Sequence, residues 1–395
     1  MSSATDFSDF FVPVDFDRIS GGRPYQASQF GSLMQIHTAQ NGYPAHEGAK
    51  MALIGVCEGR RSEGNDGTTL APDTVREYLY QLHAGPWPLQ MIDLGNITAG
   101  HTPADTDFAL KTVMGALLRQ NIIPVILGGG QDLTFAQYLA YEAVEQTVNL
   151  LAIDHKFDIG GSGDELNSTS YLSRIILHQP NFLFNFSNLG YQTYFVEQSS
   201  VDLMAKLNFD IHRLGQVRSA PELAEPVIRN ADLISFDIGA VRLGEAPGNA
   251  NATPNGFTGD EACRLARYAG ISDKLSSFGI YEINPAFDFR GQTAHLAAQM
   301  VWCFADGYYN RKQDFPFSDK TDYTRFRVFL KDHKHEIVFY KSSRSDRWWM
   351  EVPYPPNQKL RFERHALVPC SYSDYEVACN EEMPDRWWQT FQKLS

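Results

Sequence analysis

The chain has 395 residues, enough to bury a large core in one α/β domain with additions. Its formal charge of -13 works against binding nucleic acid or an anionic membrane, both of which need clustered Lys and Arg. Five scattered cysteines, Cys57, Cys263, Cys303, Cys370 and Cys379, form no Cys-x-x-Cys pair and give no sign of a disulfide framework or a zinc site.

The first residues are acidic where a signal peptide needs positive charge, and no apolar run is long enough to span a bilayer, so a cytoplasmic protein is expected. Residues 1 to 48 mix aromatic, polar and Gly-rich sequence without a sustained period and are expected to wrap the main body. Met51 to Val56 reads as a buried strand, followed by a polar loop from Glu58 to Thr69 and a helix starting at Ala71-Pro72-Asp73. Met91 to Leu94 is a second strand pattern, and Asp105 to Gln120 has helical apolar spacing.

Ile122 to Leu127 is a strand that ends in Gly128-Gly-Gly-Gln-Asp132 and passes into a helix over Leu133 to Ala143. Further strands are expected at Val148 to Ile153, Leu233 to Ile238 and Phe278 to Ile283, with helical patterns between them. This alternation implies a mainly parallel sheet in an α/β fold. Thr258 and Glu261 have capping-box spacing, and Gly270 is expected to stop the helix they start at Asp260. Leu243 to Gly256 reads as a long loop of the kind that covers substrates. From about Ser318 three short β-rich stretches, Thr324 to Leu330, His335 to Tyr340 and Trp348 to Val352, suggest an antiparallel C-terminal extension over residues 316–395. The pairs Trp348/Trp349 and Trp387/Trp388 are expected to close that meander onto the main domain, with an interface as the competing reading.

Four strand ends then point at one edge of the sheet, where open α/β sheets bind ligands: Gly128 to Asp132, Asp154 to Asp158, Asp237 to Gly239, and Glu282 to Pro285. Carboxylates about 4 Å apart repel by about 4 kcal/mol at an effective dielectric of about 20. Asp154, Asp158 and Asp237 therefore need a cation, and Lys156 is a built-in one. Two alternatives stand beside it. One is a single hard ion on Asp154, Asp158, Asp237 and the Gln131 carbonyl. The other is a salt-bridge network that only ties the strand ends together. His155, by period-two alternation, faces away from Asp154 and Lys156 and is assigned to packing or to supporting the acids rather than to ligation. His295 reads as a satisfied helix histidine, and Gly128-Gly-Gly130 lacks the spacing of a nucleotide-binding loop.

In order and local sequence, the four strand ends resemble the ureohydrolase superfamily of arginase, agmatinase and formiminoglutamase, over roughly residues 50 to 308. Asp154-His-Lys-Phe-Asp158 stands for the motif Asp-x-His-x-Asp, Ser235-Phe-Asp-Ile-Gly239 for Ser-x-Asp-x-Asp, and Glu282-Ile-Asn-Pro285 for Glu-x-Asn-Pro. Gly256-Phe-Thr258 also looks like the family, and the triple glycine resembles formiminoglutamases. The resemblance implies a three-layer α/β/α arginase-like domain over residues 49–315, a homo-oligomer, and two manganese ions sharing a hydroxide.

Carried over, Asp154, Asp158 and Asp237 remain as metal ligands while Gln131, Lys156 and Gly239 replace two histidines and an aspartate. A charged lysine offers no lone pair and glycine no side chain, so no metal pair is expected and no cofactor is required, with room for a single Mn²⁺ or Mg²⁺. Asp154, Lys156, Asp158 and Asp237 are the residues expected to carry any chemistry, with Glu282, Asn284 and Gln131 on the substrate side. The expected partner is a small ligand, a cationic amidine or amino-acid derivative. Two functions follow: a pseudoenzyme that binds a ligand or partner, or a C–N hydrolase using one metal or none.

Overall fold

A computed structural model describes residues 7–161, 163, 165–316, 320–330, 335–358 and 362–394. Its centre is set by four strands whose every residue is buried: the mainly apolar runs that a parallel sheet covered on both faces requires. Among the described residues the strands are β1 (Phe11–Val12), β2 (Gln35–Ile36), β3 (Met51–Cys57), β4 (Met91–Thr98), β5 (Ile123–Leu127), β6 (Val148–Ile153), β7 (Leu183–Tyr191), β8 (Asp210–Arg213), β9 (Leu233–Asp237) and β10 (Ser277–Tyr281). They form one sheet in the order β1-β4-β3-β5-β10-β9-β6-β7-β8, with β2 also paired to β4. All pairings are parallel except β1 against β4.

Alternation along β3 splits the core into layers. Met51 and Leu53 join the helices Ala71–Leu79, Gly259–Ile271 and Gln292–Tyr309 on one face. Ala52, Ile54 and Val56 join the helix Pro103–Arg119 on the other. This is the expected three-layer α/β/α arrangement. The helix Gly259–Ile271 starts at the expected capping box: Thr258 Oγ1 accepts from the Glu261 N–H at 3.1 Å, and Glu261 Oε2 accepts from the Thr258 N–H at 2.8 Å.

Gly270 does not stop that helix, which runs through it to Ile271. A Cβ there would lie 2.1 Å from the Phe304 carbonyl oxygen and 3.0 Å from Gly307 Cα, so the glycine serves close approach of two helices instead. Two further parallel strands, β7 and β8, occupy the stretch read as helical. Their pattern is masked by the buried polar residues Asn185, Ser187 and Asn188 in β7 and by the short polar run of β8.

The C-terminal part forms a second, antiparallel sheet in the order β11 (Tyr323–Leu330), β12 (His335–Ser342), β13 (Trp348–Glu351), β14 (Leu367–Cys370), followed by the helices Tyr372–Cys379 and Asp385–Leu394. Arg229 of the main domain anchors it. Its Nη1 donates to the Trp348 carbonyl at 3.0 Å, its Nη2 donates to the Cys370 carbonyl at 3.2 Å, and its guanidinium lies 4.4 Å from the Trp349 ring centroid. Trp348, Trp349 and Trp387 are buried, and Trp388 is exposed. Among the described residues no helix is long and apolar enough to cross a membrane.

Candidate active site

Strand order places β5, β10, β9 and β6 side by side, so the four expected segments leave the same C-terminal edge as neighbours. At the β5 end a Cβ on Gly129 would lie 1.6 Å from the Glu58 carbonyl oxygen and one on Gly128 2.2 Å from the Tyr281 ring. The glycines admit a crossing backbone, and the Gly130 N–H donates to the Glu58 carbonyl at 3.0 Å. Gln131 follows, buried, with its Nε2 donating at 3.3 Å to both Tyr171 Oη and Ser235 Oγ.

β6 ends at Ile153. Asp154 Oδ1 accepts from the Lys156 N–H at 3.0 Å, a side-chain turn that takes the chain out of strand geometry. Alternation therefore stops before His155, and its ring does not face away. His155 Nδ1 lies 3.2 Å from Asp154 Oδ1, and the ring packs edge-on against Phe195. One ligand-type atom each from Asp154, His155 and Asp237 falls within 4.8 Å of the others. Neither ring nitrogen of His155 makes a hydrogen bond, and Asp154 Oδ2 meets no amide, amine or hydroxyl donor.

Burial pushes up the carboxyl pKa of all three aspartates, and they settle differently. Against burial, His155, the Asp158 carboxyl and the Lys156 N–H hold Asp154 below its ordinary value. Burial, the Asp154 charge, a shared hydrogen bond with Asp154 and the Asp237 charge push Asp158 well above it, with Lys156 opposing. Burial, Asp154 and Glu282 raise Asp237, against the Gly239 N–H and Lys156. The crowding thus falls on Asp158 and Asp237, where it favours the neutral carboxyl over the charged one. Lys156 helps only through space. Among the described residues no ion pair joins its ammonium to Asp154, Asp158 or Asp237, so the expected bridge is not formed.

At the β10 end Glu282 is buried at positive φ (66°), and Asp158 shares that unusual conformation (50°). The Glu282 carboxylate is engaged from within by three donors. Oε1 accepts from the Gln131 N–H at 2.8 Å, while Oε2 accepts from Ser62 Oγ at 2.5 Å and Asn65 Nδ2 at 2.8 Å. Asn284 is closed in the same way, donating to Asn65 Oδ1 at 3.0 Å and to the Asp66 carbonyl. Asn65 Oδ1 also accepts from the Ala250 N–H at 2.9 Å, which ties the Glu58–Thr69 loop to the Leu243–Gly256 loop over the strand ends.

Sequence reasoning missed Ser62, Asn65 and Tyr171. The first two lie in the Glu58–Thr69 stretch, which read only as a polar loop. Tyr171 opens the short helix Tyr171–Leu177, is buried, and has its phenol pushed well above the usual range by burial and then by Asp158, Asp154 and Asp237. The same acids that crowd one another thus favour its neutral hydroxyl.

The model of the arginase family matches residues 49–306. The chain belongs to the arginase family. It is 25% identical over 282 residues to the formimidoylglutamase of Lysinibacillus sphaericus, covering 67% of this chain and 86% of that one. The fold matches formiminoglutamase of Trypanosoma cruzi, whose structure holds Mn²⁺, at a TM-score of 0.65 with 18% identity, over 72% of this chain and 99% of that one. Formimidoylglutamase of Bacillus subtilis matches at 0.64 with 21% identity, over 73% of this chain and 96% of that one.

A manganese pair does not fit the residues present. Gln131 turns its amide nitrogen to Tyr171 and Ser235, Lys156 carries a cation, and Gly239 has nothing to coordinate with.

Proposed function

We propose that this arginase-family chain no longer hydrolyses amidines by the dimanganese route and serves as a ligand- or partner-binding protein. The observation that carries this reading is the engagement of Glu282 from within the chain. Its two carboxylate oxygens accept three hydrogen bonds, from Gln131, Ser62 and Asn65, so most of the group that the family resemblance assigns to the substrate is already occupied. Loss of ligands at Gln131, Lys156 and Gly239 supports the same reading from the metal side.

A small cationic amidine or amino-acid derivative is the ligand class suited to these acids. It would reach Oε2 of Glu282 only by displacing Ser62 and Asn65, and Oε1 only beside the Gln131 N–H. The test is turnover of formiminoglutamate, arginine and agmatine by the full chain supplied with Mn²⁺. The reading expects none, and ordinary turnover of any of the three overturns it.

A further inference from the structure

Two departures from the family's ligand pattern meet at one point. The histidine that the motif places third in Asp-x-His-x-Asp stands second here, as His155, and the last aspartate of Ser-x-Asp-x-Asp is Gly239. A Cβ built on Gly239 would lie 3.3 Å from His155 Cε1, 3.3 Å from Asn249 Nδ2 and 3.2 Å from Asp237 Oδ1. The place an aspartate at 239 would fill is bordered by the imidazole. Losing that side chain gives the shifted histidine its room.

We propose that this chain holds a single divalent transition-metal ion on Asp154, His155 and Asp237. Three observations support the site independently of any family pattern. The three side chains bring ligand atoms within 4.8 Å of one another. They are at most 7% exposed. His155 Nε2 has no protein partner although buried, and its Nδ1 has only the Asp154 carboxylate beside it at 3.2 Å; buried polar atoms are rarely left so. Packing alone does not account for a buried imidazole whose Nε2 is unpartnered beside two acids.

The donor set selects the ion. One imidazole with two carboxylates is a mixed N/O set that suits Zn²⁺, Fe²⁺ or Co²⁺, whereas Mg²⁺ and Ca²⁺ take oxygen donors. Two carboxylates balance one divalent charge, and the nearby Lys156 ammonium discourages a second ion. This inference does not depend on the loss of hydrolysis. A retained ion would be a binding or structural element in a site whose Glu282 is already engaged by Gln131, Ser62 and Asn65.

The test loads full-length, chelator-stripped protein with Co²⁺ alone and reads stoichiometry by equilibrium dialysis and ligand type from the visible spectrum. One Co²⁺ per chain is expected. His155→Ala should weaken binding by at least about a hundredfold, since even partners outside the ligand shell are worth up to about that much. His295→Ala, on a helix face stacked against Tyr78, should bind as the unmodified chain does. If His155→Ala fails to fold, pulsed EPR of Cu²⁺ on the unmodified chain decides, with imidazole nitrogen coupling expected and its absence fatal. No retained ion, or equal affinity after His155→Ala, overturns the inference alone. Two ions per chain overturn both it and the proposed function.

Discussion

Asn65 Nδ2 donates to two atoms of one residue, the Glu282 carbonyl at 2.9 Å and its Oε2 at 2.8 Å. A single amide thereby holds the Glu58–Thr69 loop over the strand end that faces substrate in the family's motif. Burial raises the Glu282 pKa, and Ser62, Asn65 and the Gln131 N–H oppose that rise.

Asn65→Ala should therefore destabilise the chain rather than leave it neutral. It strands buried acceptors on Glu282 and the Ala250 N–H together, at about 1–3 kcal/mol for each group left unpaired. Urea unfolding reads the midpoint. An unchanged midpoint would mean that the loop is not held by this residue.

The helix pair Gly259–Ile271 and Gln292–Tyr309 provides a matched test of glycine. Gly270→Ala forces a Cβ toward the Phe304 carbonyl oxygen and should cost about 1–3 kcal/mol or more. Gly215→Ala, in the helix Leu214–Ser219 where a Cβ meets nothing within 4 Å, should stabilise by about 0.5–1 kcal/mol. Opposite shifts of the thermal midpoint are the expected outcome, and parallel shifts would contradict the packing argument.

Arg229→Met should loosen the C-terminal sheet from the main domain. The change strands the Trp348 and Cys370 carbonyls, about 1–3 kcal/mol for each, and removes the cation from the Trp349 ring. Limited proteolysis should release the C-terminal segment faster from the variant than from the unmodified chain. Equal release would place the anchor elsewhere.

His365 makes that junction sensitive to acid. It stacks on Phe184 with centroids 3.8 Å apart, and its Nε2 lies 2.9 Å from Thr147 Oγ1. Burial, then Lys274, Arg364 and Lys393, hold its pKa well below 6.5. The folded value is the lower one, so the unfolded chain binds the extra proton first. Stability from this group is full above about pH 6.5 and falls as the pH drops below it. His365→Phe should flatten the decline in unfolding free energy between about pH 7 and pH 5. A slope unchanged by the substitution would assign the effect to other groups.

Much of this architecture was legible because burial on both faces leaves mainly apolar runs: β3, β5, β6, β9 and β10 all carry them. β7 was not, since Asn185, Ser187 and Asn188 interrupt its pattern to bond Asp210, Lys156 and Tyr191. The site was legible at Asp154, Asp158, Asp237 and Glu282, which local motifs mark. His155 was misplaced because a period-two argument fails once the Asp154 side chain turns the backbone. Ser62, Asn65 and Tyr171 reach the site only through tertiary folding, with no spacing that marks them in advance.

The loss of a manganese pair is the central claim, and EPR of the full chain titrated with Mn²⁺ addresses it most directly. The account predicts at most one bound Mn²⁺ per chain and no exchange-coupled signal at any loading. Two bound ions per chain with the spectrum of a coupled pair would contradict it.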